Sequence, residues 1–133
     1  MIASAEWKQG MLFDGKSESG HVMHFDATPE HASGPSPMEA VLAALCGCTS
    51  VDVVSILQKK REPLEGLTVS AVAEQAPAPP RVFTHIRLIY RIRGKVSQKA
   101  AEDAVALSKD KYCSVSKMLE KAAKIEFSIE YES

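Results

Sequence analysis

The sequence predicts a single α+β domain over residues 1–133, and two patterns lead to this prediction. Apolar side chains lie on almost every side of the segment 37–61, which is typical of a helix that is buried all round. Apolar and polar residues alternate in the segments 81–93 and 125–131, which is typical of strands with one buried face. Strands, a long helix, a strand pair, further helices and a last strand, in that order, define the α+β class.

The first 33 residues favour short strands joined by turns. The segments 3–8 and 11–13 predict the first two strands, and Asp14-Gly15 is a typical hairpin turn signal. The segment 21–25 predicts a third strand, followed by a polar loop up to Pro35. This part of the chain should therefore form a small sheet ahead of the long helix.

The long helix has clear signals at both ends. Ser36 is a good N-cap, and Pro37 suits the first helical position because its missing N–H group costs nothing there. Pro63 requires the helix to end before it, at about Arg61. A helix with apolar residues on all sides needs more cover than one thin sheet supplies. We therefore expect two copies of the chain to pack their long helices together.

The second half of the chain predicts a strand pair, two helices and a last strand. Segments 67–74 and 81–93 form the pair, with Gly94 ending the second strand. Ser97 caps a helix that is interrupted at residues 110–114, and residues 115–122 resume as a short helix. The segment 125–131 is the terminal strand. No internal repeat or interdomain linker divides the chain.

Composition and charge narrow the classes of function. The chain has 16 Lys and Arg against 17 Asp and Glu, a net charge of −1, which gives no electrostatic reason to expect nucleic acid or an anionic membrane as a partner. There is no secretory h-region, and the longest uncharged apolar run, 40–51, is too short to span a bilayer. Three cysteines, an odd number, argue against a disulfide scaffold and favour the reducing cytoplasm.

Two cysteines lie in the middle of the long helix. Cys46 and Cys48 are two positions apart, so their side chains point about 200° away from each other and cannot bond without unwinding the helix. Both have apolar neighbours one turn away, so periodicity does not choose between them. Cys48 is distinguished by Asp52 at i+4, because a carboxylate in an apolar helix usually has a partner or a function.

Cys113 lies at the start of the last short helix. A thiol at a helix N-terminus has its thiolate stabilised by the helix dipole, and Lys109 and Lys111 would lower its pKa further. The alternative is that all three cysteines are small core residues, since free cysteine is among the most buried residue types. The histidine spacing does not predict a metal site, and we expect no cofactor.

A stripe of arginines follows one face of the segment 81–93. Arg87, Arg91 and Arg93 are separated by even numbers of positions, which puts them on the same side of the strand. We expect a solvated face on which Glu126 and Glu130 of the last strand balance the positive charge.

Two motifs resemble a known family. The segment 34–39, Gly-Pro-Ser-Pro-Met-Glu, runs on through Cys46-Gly-Cys48-Thr, and this stretch resembles the central-helix signature of the OsmC/Ohr proteins. The later segment 111–116, Lys-Tyr-Cys-Ser-Val-Ser, resembles the second cysteine motif of that family. The order of elements matches over nearly the whole chain.

The resemblance implies a fold, an assembly and an activity. The fold would be an intertwined homodimer, with long buried central helices packed between antiparallel sheets. Cys48 would be the peroxidatic thiol and Cys113 the resolving thiol in the reduction of organic hydroperoxides, with a dithiol as reductant and no cofactor. Cys46 falls where the family has a small residue and would be a spectator.

The sequence departs from the peroxidase pattern at two points. The family glutamate directly follows the proline, where this chain has Met38, and no arginine occurs before Arg61. The chain therefore resembles an OsmC-like subgroup, with Glu39 and Asp52 as candidate supporting residues. Two alternatives to the peroxidase stay open. One is a non-enzymatic dimer that binds a small molecule or responds to redox change, and the other is a dimer whose cysteines only pack.

Overall fold

A computed structural model describes residues Met1–Ser133 and confirms the α+β class. The helices and strands have these bounds: β1 Ala3–Gln9, β2 Leu12–Ser17, β3 Val22–Asp26, α1 Pro37–Lys59, β4 Leu64–Gln75, β5 Phe83–Gly94, α2 Gln98–Leu107, a π-helical turn Ser108–Tyr112, α3 Ser114–Leu119 and β6 Lys124–Glu132. The chain divides into two compact units, Met1–Leu42 and Ala43–Ser133. That residues 1–133 form a single domain stays a prediction.

The first unit contains an antiparallel sheet in the order β1-β2-β3. The predicted turn at Asp14-Gly15 is wrong, because both residues lie inside β2. The glycine serves close packing instead: a Cβ atom at Gly15 would lie 2.5 Å from Cε2 of Phe25. The chain turns before β2, where Gly10 adopts a φ of +52° that suits glycine.

Helix α1 begins and ends with complete capping motifs. The N–H of Glu39 donates to Oγ of Ser36 at 3.1 Å, and the N–H of Ser36 donates to Oε1 of Glu39 at 2.9 Å, which is a capping box. At the other end Arg61 is left-handed with a φ of +57°, and the N–H of Glu62 donates to the carbonyl of Leu57 at 3.0 Å. This Schellman motif ends the helix ahead of Pro63, as predicted.

Within one chain α1 is buried on one face. Leu45, Thr49, Val53 and Leu57 are buried at intervals of four residues, whereas Val51 is 69% exposed. Burial on all sides is therefore not reached inside a single chain. By length and composition alone this 23-residue helix would also suit a membrane span, a test that the core helix of a soluble protein passes equally.

The second unit contains a mixed sheet in the order β4-β5-β6. Strands β4 and β5 are antiparallel, but β6 runs parallel to β5, so the expectation of antiparallel sheets holds for the first unit and for the β4–β5 pair only. A parallel neighbour needs a long crossover, and residues 95–123 supply it. Ile86, Leu88, Tyr90 and Ile92 are buried, which confirms the predicted core face of β5.

The crossover between β5 and β6 carries the predicted helices. Ser97 caps α2 by accepting the N–H of Ala100 at 3.1 Å. The π-helical turn Ser108–Tyr112 takes the place of the predicted interruption, and it ends where the N–H of Cys113 donates to the carbonyl of Ser108 at 2.7 Å. Turns of this kind are frequent at functional sites.

Candidate active site

Two cysteines from distant parts of the sequence come into contact in the second unit. Cys48 lies in the middle of α1, and Cys113 directly follows the π-helical turn. Cys48 lies close enough to Cys113 to raise the pKa of its thiol through a side-chain hydrogen bond. Cys48 is half-buried, whereas Cys113 is 0% exposed, and neither is in a disulfide. The site is therefore a reduced thiol pair with one partly exposed and one fully enclosed cysteine.

Cys113 is fixed by the backbone on both sides. It is the N-cap residue of α3, and its Sγ accepts the N–H of Ser116 at 3.3 Å. Its own N–H is held by the carbonyl of Ser108. The hydroxyl of Ser116 is buried beside it without a hydrogen-bond partner. These bonds give the enclosed thiol one defined position.

The expected lowering of the Cys113 pKa is wrong in direction. Burial, the largest cause, and the hydrogen bond with Cys48 together raise the pKa of Cys113 to about 12, while the N–H of Ser116 opposes the rise. Removal of water disfavours the thiolate more strongly than one N–H at a helix N-terminus favours it. Cys113 therefore keeps its proton at neutral pH.

The two lysines that were expected to help Cys113 have other contacts. Nζ of Lys109 lies 6.0 Å from the centre of the Phe127 ring, and Nζ of Lys111 lies 5.4 Å from the centre of the Tyr112 ring. Burial, Cys48, Ser116 and Asp52 are what set the pKa of Cys113 instead. The sequence positions of Lys109 and Lys111 did not show that their side chains point toward these aromatic rings.

A chain of hydroxyl groups runs through the core next to the thiols. Oγ1 of Thr49 lies 2.7 Å from the hydroxyl oxygen of Tyr90 and 2.7 Å from Oγ of Ser108. Oγ of Ser108 donates to Oδ2 of Asp52 at 2.8 Å. A hydroxyl has one proton, so Ser108 must accept from Thr49, and Thr49 must accept from Tyr90. All three hydroxyl donors therefore point toward the Asp52 carboxylate.

The sequence patterns did not indicate Thr49, Ser108 or Tyr90. A signal was present in α1, since Thr49 occupies the same buried row as Leu45 and Val53, where a hydroxyl group needs a partner. The role of Ser108 and Tyr90 depends on the packing of α1 against other elements, which brings their hydroxyl groups to Thr49. Burial also raises the pKa of Tyr90 to about 12, so this donor stays protonated.

The remaining candidate residues have simpler surroundings. The carboxylate of Glu39 is engaged in the capping box, and its side chain is 56% exposed. Cys46 is half-buried, and burial raises its pKa. The roles assigned to the cysteines, to Glu39 and to Asp52 stay predictions. No group of three or more His, Cys, Asp and Glu residues is arranged to hold a metal ion.

The sheet face outside the site carries ion pairs of the predicted kind. Nη2 of Arg91 lies 3.0 Å from Oε1 of Glu130. Oε2 of Glu126 instead lies 2.6 Å from Nε2 of His85. The arginine stripe is therefore partly balanced, and a histidine takes one of the two glutamates.

A cleft of about 430 Å³ opens beside Asp52. Its walls include Ile56 and Leu107, with Tyr112 and Lys59 nearby. The carboxylate at the end of the hydroxyl chain thus faces an open, partly apolar space. A small organic molecule of mixed polarity would fit these walls.

The fold and the site together define an α+β protein with a paired thiol centre. One thiol lies on a long central helix, and the other caps a later short helix. The chain belongs to the OsmC-like protein family, whose model matches residues 30–128. The resemblance predicted from the two cysteine motifs is thereby confirmed.

Known proteins resemble this chain over nearly its full length. It is 44% identical over 131 residues to Protein YhfA of Escherichia coli (strain K12), a match that covers 98% of this chain and 97% of that protein. A crystal structure of a hypothetical protein from Aquifex aeolicus VF5 is 30% identical, with a TM-score of 0.84 and coverage of 99% and 97%. An organic hydroperoxide resistance protein OsmC from Legionella pneumophila is 18% identical, with a TM-score of 0.74 and coverage of 97% and 95%, and shares the fold.

Proposed function

We propose that this protein reduces organic hydroperoxides with the thiols of Cys48 and Cys113. The contact between these two side chains is the observation that carries the proposal. Membership of the OsmC-like family supports it, as does the shared fold with a Legionella pneumophila protein described as an organic hydroperoxide resistance protein. The activity would serve defence against oxidative stress.

The reaction has three steps. The Cys48 thiolate attacks the distal oxygen of the hydroperoxide, the O–O bond breaks, and a Cys48 sulfenic acid forms while the leaving alkoxide takes a proton from water to become an alcohol. The Cys113 thiol then attacks the Cys48 sulfur, releases water and forms a disulfide. An external dithiol reduces this disulfide by exchange and becomes a disulfide itself.

The environments of the two thiols suit this division of roles. Cys48 is half-buried, so a hydroperoxide can reach its sulfur atom. Cys113 is fully enclosed and keeps its proton at neutral pH, which protects it from direct oxidation. The enclosed thiol is thereby reserved for the disulfide step.

We propose that the working form is a cytoplasmic homodimer. Val51 is 69% exposed and Val41 is 36% exposed, although both lie on an apolar helix. Packing of α1 against a second copy would cover this surface. Light scattering should give twice the chain mass of 14.4 kDa, and Val51→Glu should give the single-chain mass. A native protein of single-chain mass would overturn the dimer.

The first test is a titration of the reduced protein with one equivalent of cumene hydroperoxide, followed by peptide mapping without reduction. We expect a Cys48–Cys113 disulfide. Cys48→Ser should abolish hydroperoxide consumption. Cys113→Ser should allow one oxidation and then stop, with Cys48 left as a sulfenic or higher acid. Cys46→Ser is the matched control and should cycle normally.

Two outcomes would reject the peroxidase. Turnover retained in Cys48→Ser would show that another group is the nucleophile. Thiols left untouched by the hydroperoxide in the native protein would point to a non-enzymatic dimer that binds a small molecule or responds slowly to oxidants.

A further inference from the structure

Ser108 connects Asp52 to Cys113 through two hydrogen bonds. Its side chain donates to Oδ2 of Asp52 at 2.8 Å, and its carbonyl accepts the N–H of Cys113 at 2.7 Å. The second bond spans five residues and closes the π-helical turn. A regular α-helix would not make this bond. One residue thus sets the position of a carboxylate and of a thiol at the same time.

Asp52 also lies on the Cys48 side of the site. It follows Cys48 by four residues on α1, which puts the two side chains on the same helix face. Asp52 therefore lies one helical turn from Cys48 and is joined to Cys113 through the two hydrogen bonds of Ser108, and its charge acts on the Cys113 thiol. The chain of donors from Tyr90 through Thr49 and Ser108 holds one oxygen of the carboxylate in place, at the edge of the cleft that Asp52 lines.

The enclosed thiol presents a chemical problem that a nearby base would solve. Cys113 is 0% exposed, so no bulk water reaches its proton. A neutral thiol is a poor nucleophile, and the proton must leave as the sulfur attacks. The titratable groups that act on Cys113 are Cys48 and Asp52 from α1, and Cys113 in turn acts on Tyr90 of β5. Tyr90 donates its proton to Thr49, which leaves Asp52 as the available acceptor.

We propose that Asp52 is the proton acceptor for Cys113 in the disulfide-forming step, and that Ser108 is its positioning residue. The proposal rests on the proposed function for its oxidant. The Cys113 S–H bond breaks and its proton passes to the Asp52 carboxylate, while the Cys113 sulfur bonds to the Cys48 sulfur. The S–O bond of the sulfenic acid breaks, and the leaving hydroxide takes the proton from Asp52 to become water.

The disulfide step can be isolated from hydroperoxide chemistry. In a Cys46→Ser background, one equivalent of methyl methanethiosulfonate converts the reachable Cys48 thiol to a methyl disulfide. Cys113 then displaces methanethiol, and intact-protein mass spectrometry follows the first-order loss of the methylthio group. The rate is measured at neutral pH and near pH 9.5 for the background protein and for each variant.

We call the formation of the Cys48–Cys113 disulfide in this assay closure. Asp52→Asn should slow closure roughly 100-fold at neutral pH, the usual scale for loss of a general base. The deficit should shrink at the higher pH, because the Cys113 thiol is then ionised more often before the attack and needs no proton acceptor. Ser108→Ala should act in the same direction but less strongly. Ser50→Ala removes a hydroxyl that donates only to the carbonyl of Cys46, and this matched control should close at the background rate.

A purely electrostatic role for Asp52 predicts the opposite sign. The negative charge of Asp52 raises the pKa of Cys113, so Asp52→Asn would then ease ionisation and speed closure. A closure rate that is unchanged or faster, or a deficit that is equal at both pH values, would overturn the proposal. High-pH recovery in Asp52→Asn would itself show that the variant folds with its thiols in place.

The test separates the inference from the proposed function. If hydroperoxide leaves Cys48 untouched while closure still depends on Asp52, only the peroxidase fails. If hydroperoxide oxidises Cys48 but the closure rate does not depend on Asp52, only the role of Asp52 as proton acceptor fails.

Discussion

The hydroxyl oxygens of Thr49 and Tyr90 lie 2.7 Å apart in the core and join helix α1 to strand β5. Thr49 is 1% exposed and Tyr90 is 0% exposed, so water cannot replace either partner. The Thr49 hydroxyl donates its proton to Ser108, so its oxygen is free to accept the hydrogen bond from Tyr90. A buried polar network of this kind is stable only while every member keeps its partner.

Tyr90→Phe should therefore lower the free energy of unfolding by about 1 to 2 kcal/mol, since the ring is kept and one buried hydrogen bond is lost. Urea denaturation gives the value. Tyr112→Phe is the matched control, because Tyr112 is 51% exposed, and it should change the stability little. Equal losses in the two variants would show that the buried bond contributes nothing.

Ser116→Ala should be neutral or should stabilise the protein by up to about 1 kcal/mol, because its buried hydroxyl has no partner. Thermal or urea denaturation would measure this change. Ser108→Ala provides the contrast, since that hydroxyl is fully bonded and its loss should destabilise. A clear destabilisation by Ser116→Ala would mean that its hydroxyl is bonded in solution.

Stability should fall on the alkaline side. The pKa of Cys113 is raised from 9.0 to about 12, and that of Tyr90 is raised from 10.0 to about 12, both chiefly by burial. The folded state holds these protons more tightly than the unfolded chain. The contribution is therefore fully present below pH 9.0 and is lost as the pH rises toward 12.

Urea denaturation midpoints measured at several pH values between 9.0 and about 12 would show this decline in stability. Tyr90→Phe lacks one of the two groups, so its stability should decline less steeply than that of the native protein. Parallel curves for the two proteins would contradict the assignment.

The capping box of α1 gives a prediction for Glu39. Ser36→Ala and Glu39→Ala should each destabilise by about 0.5 to 1 kcal/mol, and the double variant should lose less than the sum because the two bonds are reciprocal. Glu39→Gln should keep the box and also normal hydroperoxide turnover. A large loss of turnover in Glu39→Gln would restore Glu39 as a supporting residue of the thiol site.

Much of the fold was predictable because local patterns report which face of an element is buried. The alternation in β5 placed Ile86 and Leu88 in the core, and Ser97 marked the start of α2. The turn predicted at Gly15 failed, since the same residue type serves both turns and close packing. The parallel pairing of β6 was not predicted, because strand direction depends on the path of the whole crossover.

The candidate site divides in the same way. By itself the sequence determined the α+β class, which follows from the order of the elements. It also determined the two cysteine motifs and the nearness of Asp52 to Cys48, which follow from residues close together in the chain. The family resemblance implied that Cys48 and Cys113 act as a pair. Only the tertiary structure decided that the two residues lie together within one chain, that burial reverses the direction of the Cys113 pKa shift, and that Ser108 links Asp52 to Cys113. These facts depend on removal of water and on contacts between distant segments, which no local pattern of residues records.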